Sequence, residues 1–389
     1  MQPADFTADA AGRVVRTPEG HWAFVPAPLP PRLLPSWELF SEVSDADRAL
    51  SELAGRAANL PNPHLLIAPF LRREAVLSSR IEGTQASLSD LFFFEAAGPA
   101  TRGPRQLPGD VEEVASYVRA LEHGLKRVAT LPLSLRLLRE LHAKLMHGVR
   151  GDHLAPGDFR RVQNWIGPDG CSIDQATYVP PPVPQMHEAL DAFEKHLHAP
   201  AALPALVRLA LVHYQFEAIH PFLDGNGRIG RLLISLLLCH DGLLPQPLLY
   251  LSAYFERHRA DYYRHLLAVS QEGRWDEWVR FFVRGVRTEG RDALARSAKL
   301  IDLREKYRRK VQAPRGSTLA LRTVDLVFES PVVSIAMVAD RLDVTHRSAA
   351  LHVERLEAAG ILTETTGRER GRLFVARKVI DVVEGRDAN

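Results

Sequence analysis

Twelve consecutive residues, HPFLDGNGRIGR from His220 to Arg231, put an imidazole, a carboxylate, a glycine-rich turn and two guanidinium groups into one short segment. Each has a use in handling an anion. His220 titrates near neutral pH and can take a proton from a hydroxyl. Asp224 is a hard oxygen ligand suited to Mg²⁺, which takes one or two carboxylates and fills its shell with phosphate oxygens. Gly225, Asn226 and Gly227 let backbone N–H groups converge on one point. A helix beginning near Arg228 adds the positive end of its dipole there. Arg228 and Arg231 stand three apart in the first turn, where their planar forks can flank a phosphate. Together these groups would hold a nucleotide polyphosphate and activate a hydroxyl nucleophile. Singly, each has an ordinary structural use: a core histidine, a turn aspartate, a solvated arginine. Only the combination points to chemistry.

The same segment contains a decoy. GNGRIG, Gly225 to Gly230, fits the G-x-G-x-x-G pattern of dinucleotide-binding folds. That pattern needs a buried strand before it and an acid about 20 residues after it. Here the preceding PALVRLALVHYQFEAIH has helical apolar spacing, and the nearest following acid, Asp241, sits in a turn-like HDG. The reading is therefore of two helices joined by an anion-binding turn.

The rest of the chain must position that turn. Residues from Met1 to Pro35 are rich in Pro and Ala, and PAPLPPRLLP reads as an extended arm on the body. A helical pattern opens at the N-cap candidates Ser44 and Asp45. A second helix, HLLIAPFLRREAVLSSRIEG, is stopped by Gly83 as a C-cap. AAGPATRGPRQLPGD, Ala96 to Asp110, reads as a turn-rich connection. Residues 111–285 are mostly helical in pattern, except IGPDGCSIDQATYVPPPVP, which reads as a short hairpin or flap. A charged linking helix and the boundary APRGS, Ala313 to Ser317, follow. The last segment reads as three helices and two strands around a basic tip, a winged-helix arrangement. The fold class expected is mainly α: a helical core with a small β-hairpin flap and a C-terminal winged-helix domain. The divisions expected are 1–105, 106–290, 291–316 and 317–389.

Composition excludes other classes. Of 389 residues, 49 are Lys or Arg and 47 are Asp or Glu, a net +2 that does not suit a polycation binding nucleic acid indiscriminately. Cys171 and Cys239 form no CxxC pair, so disulfide-framework and zinc-finger readings fail. The N-terminus has no signal-peptide pattern, and the most apolar stretch, RLLISLLLCH, is about half a membrane span. A cytoplasmic protein with no membrane partner is expected.

HPFLDGNGRIGR also resembles the Fic (Fido) signature HPFx[D/E]GNGRxxR at every constrained position. SRIEGTQAS, GDFRRVQNWIG, ATYVPPPVP and LSAYFERHRADYYRHL are similar to segments of bacterial Fic proteins that carry an N-terminal inhibitory helix. The resemblance runs from about Leu29 to Arg284 and implies a Fic-type helical core and an autoinhibited adenylyltransferase. His220 would be the general base for a protein hydroxyl that attacks the α-phosphate of ATP. Asp224 would bind Mg²⁺. Gly225, Asn226 and Gly227 would hold the phosphates within the stretch Gly225 to Arg231, which includes Ile229 and Gly230. Of the arginines Arg228 and Arg231, the second would grip the γ-phosphate, and Phe222 would anchor the loop in the core. Gly227 stands where target-phosphorylating relatives carry Lys, which favours AMP transfer over phosphate transfer. Tyr254 would line the adenine pocket or serve as a core aromatic.

The resemblance further implies a brake. Ser78, Glu82 and Gly83 match the inhibitory pattern [S/T]xxxE[G/N], with Ser78 and Glu82 one turn apart on a helix face. Glu82 would pair with Arg231 and occupy its phosphate grip. The flap, Ser172 to Tyr178, would clamp an extended segment of a protein substrate, or be an ordinary surface hairpin. In the tail, Thr345, His346, Arg347 and Ser348 open the helix that would read a major groove, and Arg368, Arg370 and Arg372 make the wing tip. From Arg315 to Asn389 there are 11 basic and 11 acidic residues, so DNA and protein contact, including a homodimer, stay open. The alternatives to AMP transfer are an ATP-sensing, DNA-binding transcriptional regulator and a de-AMPylating hydrolase using the same pocket.

Overall fold

The computed structural model describes residues 1–34, 36–58, 64–97, 109–200, 202–312, 318–368 and 370–386. Most of the connection expected over 96–110, namely 98–108, and the boundary expected over 313–317 lie outside these residues. Ahead of the extended arm expected over 26–35, the N-terminal residues form a hairpin not expected from sequence. Alternating apolar residues either side of the turn TPEG pair as an antiparallel hairpin, β1 (Gly12–Arg16) and β2 (Trp22–Pro26). Only the stretch after β2 is extended, and Gln215 Nε2 ties its Ala27 carbonyl to the core at 3.1 Å.

Helices dominate from there. The first, α1 (Trp37–Ala58), starts earlier than Ser44 or Asp45, because Ser36 is the residue whose hydroxyl accepts from the Leu39 N–H. α2 (His64–Ile81) ends as expected, with Gly83 at φ +103 just beyond it. α3 (Leu88–Ala97), α4 (Gly109–Val128), α5 (Leu135–Met146) and α6 (Val183–His198) lead to the central pair. That pair is α7 (Ala205–Ile219) and α8 (Asn226–His240), each apolar nearly all round and buried. α9 (Ser252–Arg257) and α10 (Arg259–Glu272) follow, then α11 (Trp275–Val311), which runs unbroken through the division expected at 290.

The hairpin expected between α5 and α6 is less regular. It is closed by one antiparallel bridge, Ile166 to Tyr178, and its tip holds a 3₁₀ turn, Ile173–Gln175. The tail is α12 (Thr318–Glu329), β3 (Val332–Ser334), α13 (Ile335–Leu342), α14 (His346–Ala358), β4 (Thr363–Glu364), β5 (Leu373–Val375) and α15 (Arg377–Glu384). Its three strands order β3-β5-β4, with β3 an addition to the two expected. One hydrophobic core runs from Phe24 through α2 and α8 to Val383 in α15. α2 lies between the two bodies, packing on α4, α8 and α9 on one side and on α12 and α15 on the other. No helix among the described residues is long and apolar enough to cross a membrane.

Candidate nucleotide site

The turn between α7 and α8 is held from behind. His220 ends α7 in the left-handed region, φ 49 and ψ 61, with its N–H on the Phe216 carbonyl. The turn closes on Asn226, whose side chain accepts from the Phe222 N–H and donates to the Phe222 carbonyl, both at 2.8 Å. The Asn226 amide is thus a staple of the loop. Phe222 is wholly buried and stacks on His142, ring centroids 3.8 Å apart. His142 accepts the Gly157 N–H at Nδ1, so its Nε2–H donates to the Asp224 carbonyl at 3.0 Å. Burial holds this imidazole neutral, its pKa pushed down to about 4.

The catalytic candidate is arranged in the same way. His220 Nδ1–H donates to the Glu217 carbonyl at 3.3 Å, which leaves Nε2 as the basic nitrogen. Burial, helped by the Arg160 charge, lowers its pKa to about 4, so it is neutral at physiological pH. Asp224 stands at the rim with 41% of its side chain exposed, braced by the Gly225 N–H at 2.6 Å. Among the described residues no three ligating side chains stand together. A divalent cation here would be held by Asp224 and by its ligand's phosphates, a donor set that suits Mg²⁺.

The two arginines face different ways. Arg228 is buried, with its guanidinium on the Glu113 carboxylate of α4 and the sulfur of Met146. Arg231 is buried too, and its partners all come from α2 and its end. It donates to the Ser78 hydroxyl at 2.9 Å, the Ser78 carbonyl at 3.0 Å and the Glu82 carboxylate at 2.6 Å. Burial pushes the Glu82 carboxyl up, but the charge and hydrogen bond of Arg231 outweigh it and hold the group below its usual range. A side chain at Gly227 would put its Cβ 2.3 Å from Glu82 Oε1. The Glu82 carboxylate is therefore the anion seated at the N-terminal turn of α8.

Ser78, Glu82, Gly227 and Arg231 are thus brought together, with His220, Asp224 and Gly225 on the same turn. Ile229 and Gly230 are not at the mouth. Ile229 is wholly buried in the core, and Gly230 faces Glu217 and Phe216, its carbonyl accepting from His213. Tyr254 packs on Gly285, His258 and Phe281, and none of its described contacts reaches the turn. Tyr262 and Tyr263 feel the charges of Arg231 and Glu82 instead.

Several residues around the turn were not singled out from sequence. Arg160, nearly fully buried, donates Nε to the His220 carbonyl at 3.1 Å and other guanidinium nitrogens to the Val162 and Pro181 carbonyls. It ties the base to both arms of the flap. Asn164 donates to the Phe222 carbonyl at 2.8 Å. Glu113 and Glu74 are acids on otherwise apolar helix faces, the signal that could have marked them. Glu74 accepts from Ser252 and Tyr117, and burial raises its pKa to about 7.

Comparison with known proteins agrees with this architecture. Residues 40–126 match the family described as Fic/DOC family N-terminal, residues 132–238 the Fic/DOC family, and residues 321–374 an HTH DNA binding domain. Protein adenylyltransferase Fic of Drosophila grimshawi is 33% identical over 156 residues, which is 40% of this chain and 29% of that protein. The Drosophila erecta protein of the same name is 31% identical over 156 residues, 40% of this chain and 28% of that protein. The chain thus spans less than a third of these curated relatives. A crystal structure of a Fic family protein from Desulfovibrio desulfuricans shares the fold, with a TM-score of 0.57 and 18% identity over 90% of this chain and 98% of that one. Fic-1 of C. elegans shares it at a TM-score of 0.52 and 18% identity, over 67% of this chain and 74% of that one. Residues 40–238 thus carry both Fic/DOC domain types side by side, with the signature turn between two buried helices.

Proposed function

We propose that this protein is an autoinhibited, Mg²⁺-dependent adenylyltransferase that transfers AMP from ATP to a hydroxyl side chain of a protein, itself included. The observation that carries the reading is the Glu82 carboxylate on Arg231 at the N-terminal turn of α8. A negative group already occupies the place where a terminal phosphate would sit. Relatives named as adenylyltransferases that match over 156 residues support the same chemistry.

In the step proposed, the target hydroxyl oxygen bonds to the α-phosphorus and its proton passes to His220 Nε2. The bond from the α-phosphorus to the bridging oxygen breaks, and pyrophosphate leaves with the electron pair. Glu217 fixes the tautomer through its carbonyl, so the free nitrogen faces the hydroxyl. The amides of Gly225, Asn226 and Gly227 and the Arg231 fork hold the phosphates once Glu82 withdraws. Mg²⁺, bound by Asp224, would neutralise phosphate charge. Arg228 acts through Glu113 and supports the turn from beneath.

The test uses α-labelled ATP and Mg²⁺. Glu82→Gly should label protein faster than the parent, and adding His220→Ala should cut that rate by ~10²–10⁴-fold, the usual worth of a positioned base. ATP binding without label in Glu82→Gly would favour a sensor over a transferase.

The tail is assigned to duplex DNA. Its match to an HTH DNA binding domain, and the exposed His346 and Arg347 at the start of α14 with Arg368 and Arg370 at the wing, support this. Duplex affinity should fall with salt by a slope of about 0.9 per phosphate contact. Salt-independent affinity would remove the assignment.

A further inference from the structure

We propose that Glu217 is the counter-ion Arg231 keeps once Glu82 withdraws, and that a nucleotide's terminal phosphate enters the grip as Glu217 takes up a proton from water and becomes neutral. This rests on the nucleotide reading above. It gives a role to a buried side chain that the transfer step uses only through its backbone carbonyl.

Arg231 is poorly placed to stand alone. Its side chain is 1% exposed, and among the described residues Glu82 is the one carboxylate within ion-pair distance of it. Removing one partner of such a buried pair leaves an uncompensated charge, which is strongly destabilising. Release of Glu82 therefore calls for a second anion near the guanidinium.

Glu217 is placed to be that anion. It lies on α7, and its Oε1 rests against the α8 backbone one residue before Arg231, where a Cβ on Gly230 would stand 2.3 Å from it. That oxygen is buried and has no hydrogen-bond partner among the described residues. The side chain as a whole is 12% exposed, which leaves the carboxyl in reach of water. Glu74, the other buried acid that feels Arg231, is committed elsewhere, since its Oε1 already accepts from Ser252 and Tyr117.

The charges around Glu217 set the direction in which its proton moves. Arg231 faces it from α8, Glu82 from the end of α2, His213 from one turn back on α7 at 4.0 Å, and Tyr262 and Tyr263 from α10. Burial holds His213 neutral, its pKa pushed down to about 3, and pushes both tyrosines up, so Arg231 and Glu82 are the charged groups here. Burial raises the Glu217 carboxyl to about 7, while Arg231 pulls it down and Glu82 adds to the rise. Withdrawal of Glu82 removes a like charge, so Glu217 ionises and pairs with Arg231. A terminal phosphate brings negative charge back, and Glu217 takes up its proton again.

The experiment is calorimetric binding to Glu82→Gly with Mg²⁺, in buffers of different ionisation enthalpy. The probes are AMP and α,β-methylene ATP, whose carbon bridge replaces the bond that transfer breaks. The triphosphate should take up about half a proton or more per site near neutral pH, and AMP, which lacks the terminal phosphates, none. Adding Glu217→Gln should remove that uptake and, at about pH 8, tighten the triphosphate by roughly tenfold, the worth of one pKa unit, with AMP affinity unchanged. A purely structural role for Glu217 would weaken both nucleotides together, and that result overturns the proposal. So does triphosphate binding without proton uptake in Glu82→Gly itself, a result that needs no change at Glu217. Failure of Glu82→Gly to bind either nucleotide overturns the nucleotide site, and the proposal with it, and is told apart by that.

Discussion

At Gly227 one missing side chain decides what the turn can hold. The lack of a Cβ at Gly227 leaves room for the Glu82 carboxylate, and the same room is needed by a nucleotide in the orientation proposed. A methyl group there would stand 2.3 Å from Glu82 Oε1, so the carboxylate must move. Glu82 is a third exposed and can do so, at the loss of its contact with Arg231. Gly227→Ala should therefore destabilise the parent by ~1–3 kcal/mol, and by clearly less in Glu82→Gly. A double-mutant cycle by urea unfolding reads the difference, and additive effects would refute a direct clash.

At the scale of elements, α2 and α8 face each other with several acids near one guanidinium. Glu74 lies on α2 and is wholly sequestered, facing Ser252, Tyr117, Tyr250, Arg73 and Arg231. Burial raises it from an ordinary 4.5 to about 7. A raised acid holds its proton longer in the folded state than in the unfolded one. Its stabilising share is full below about 4.5, falls as pH rises to about 7 and is flat above that. Glu74→Gln should flatten the decline in Tm across that window, and an unchanged profile would assign the dependence elsewhere.

Element boundaries also show what the sequence could convey. The α7–turn–α8 unit, the end of α2 at Gly83 and the first three of the four tail helices, α12 to α14, were legible because periodicity, glycine and caps are local signals. The β1–β2 hairpin was missed under a Pro- and Ala-rich composition, and the start of α1 was misplaced because Ser36 is one cap candidate among several. The site residues of the turn and of α2 were legible as a motif. Arg160, Glu113 and His142 were not, because their importance lies in burial and in partners distant along the chain, which no local pattern encodes.

Across the whole molecule, a continuous core joins the Fic/DOC body to the winged helix. Phe328 on α12 is buried against Tyr307 of α11, ring centroids 5.8 Å apart, and two arginines of α11, Arg304 and Arg308, pair with Asp325. Phe328→Ala should cost ~3–5 kcal/mol and shift one calorimetric transition as a unit. A separate early melting of the tail would show that the two bodies unfold independently.

The position of Glu82 at the end of α2 carries one more consequence. In the role proposed for it, Glu82 is a competitor built into the polypeptide, present at one copy per site however far the solution is diluted, so its potency is set by geometry and not by abundance. Dialysis, purification and expression level leave it in place, and a rival anion must outcompete a tethered group. Under that proposal, quiescence is a constant of the molecule for as long as Glu82 keeps its contact with Arg231.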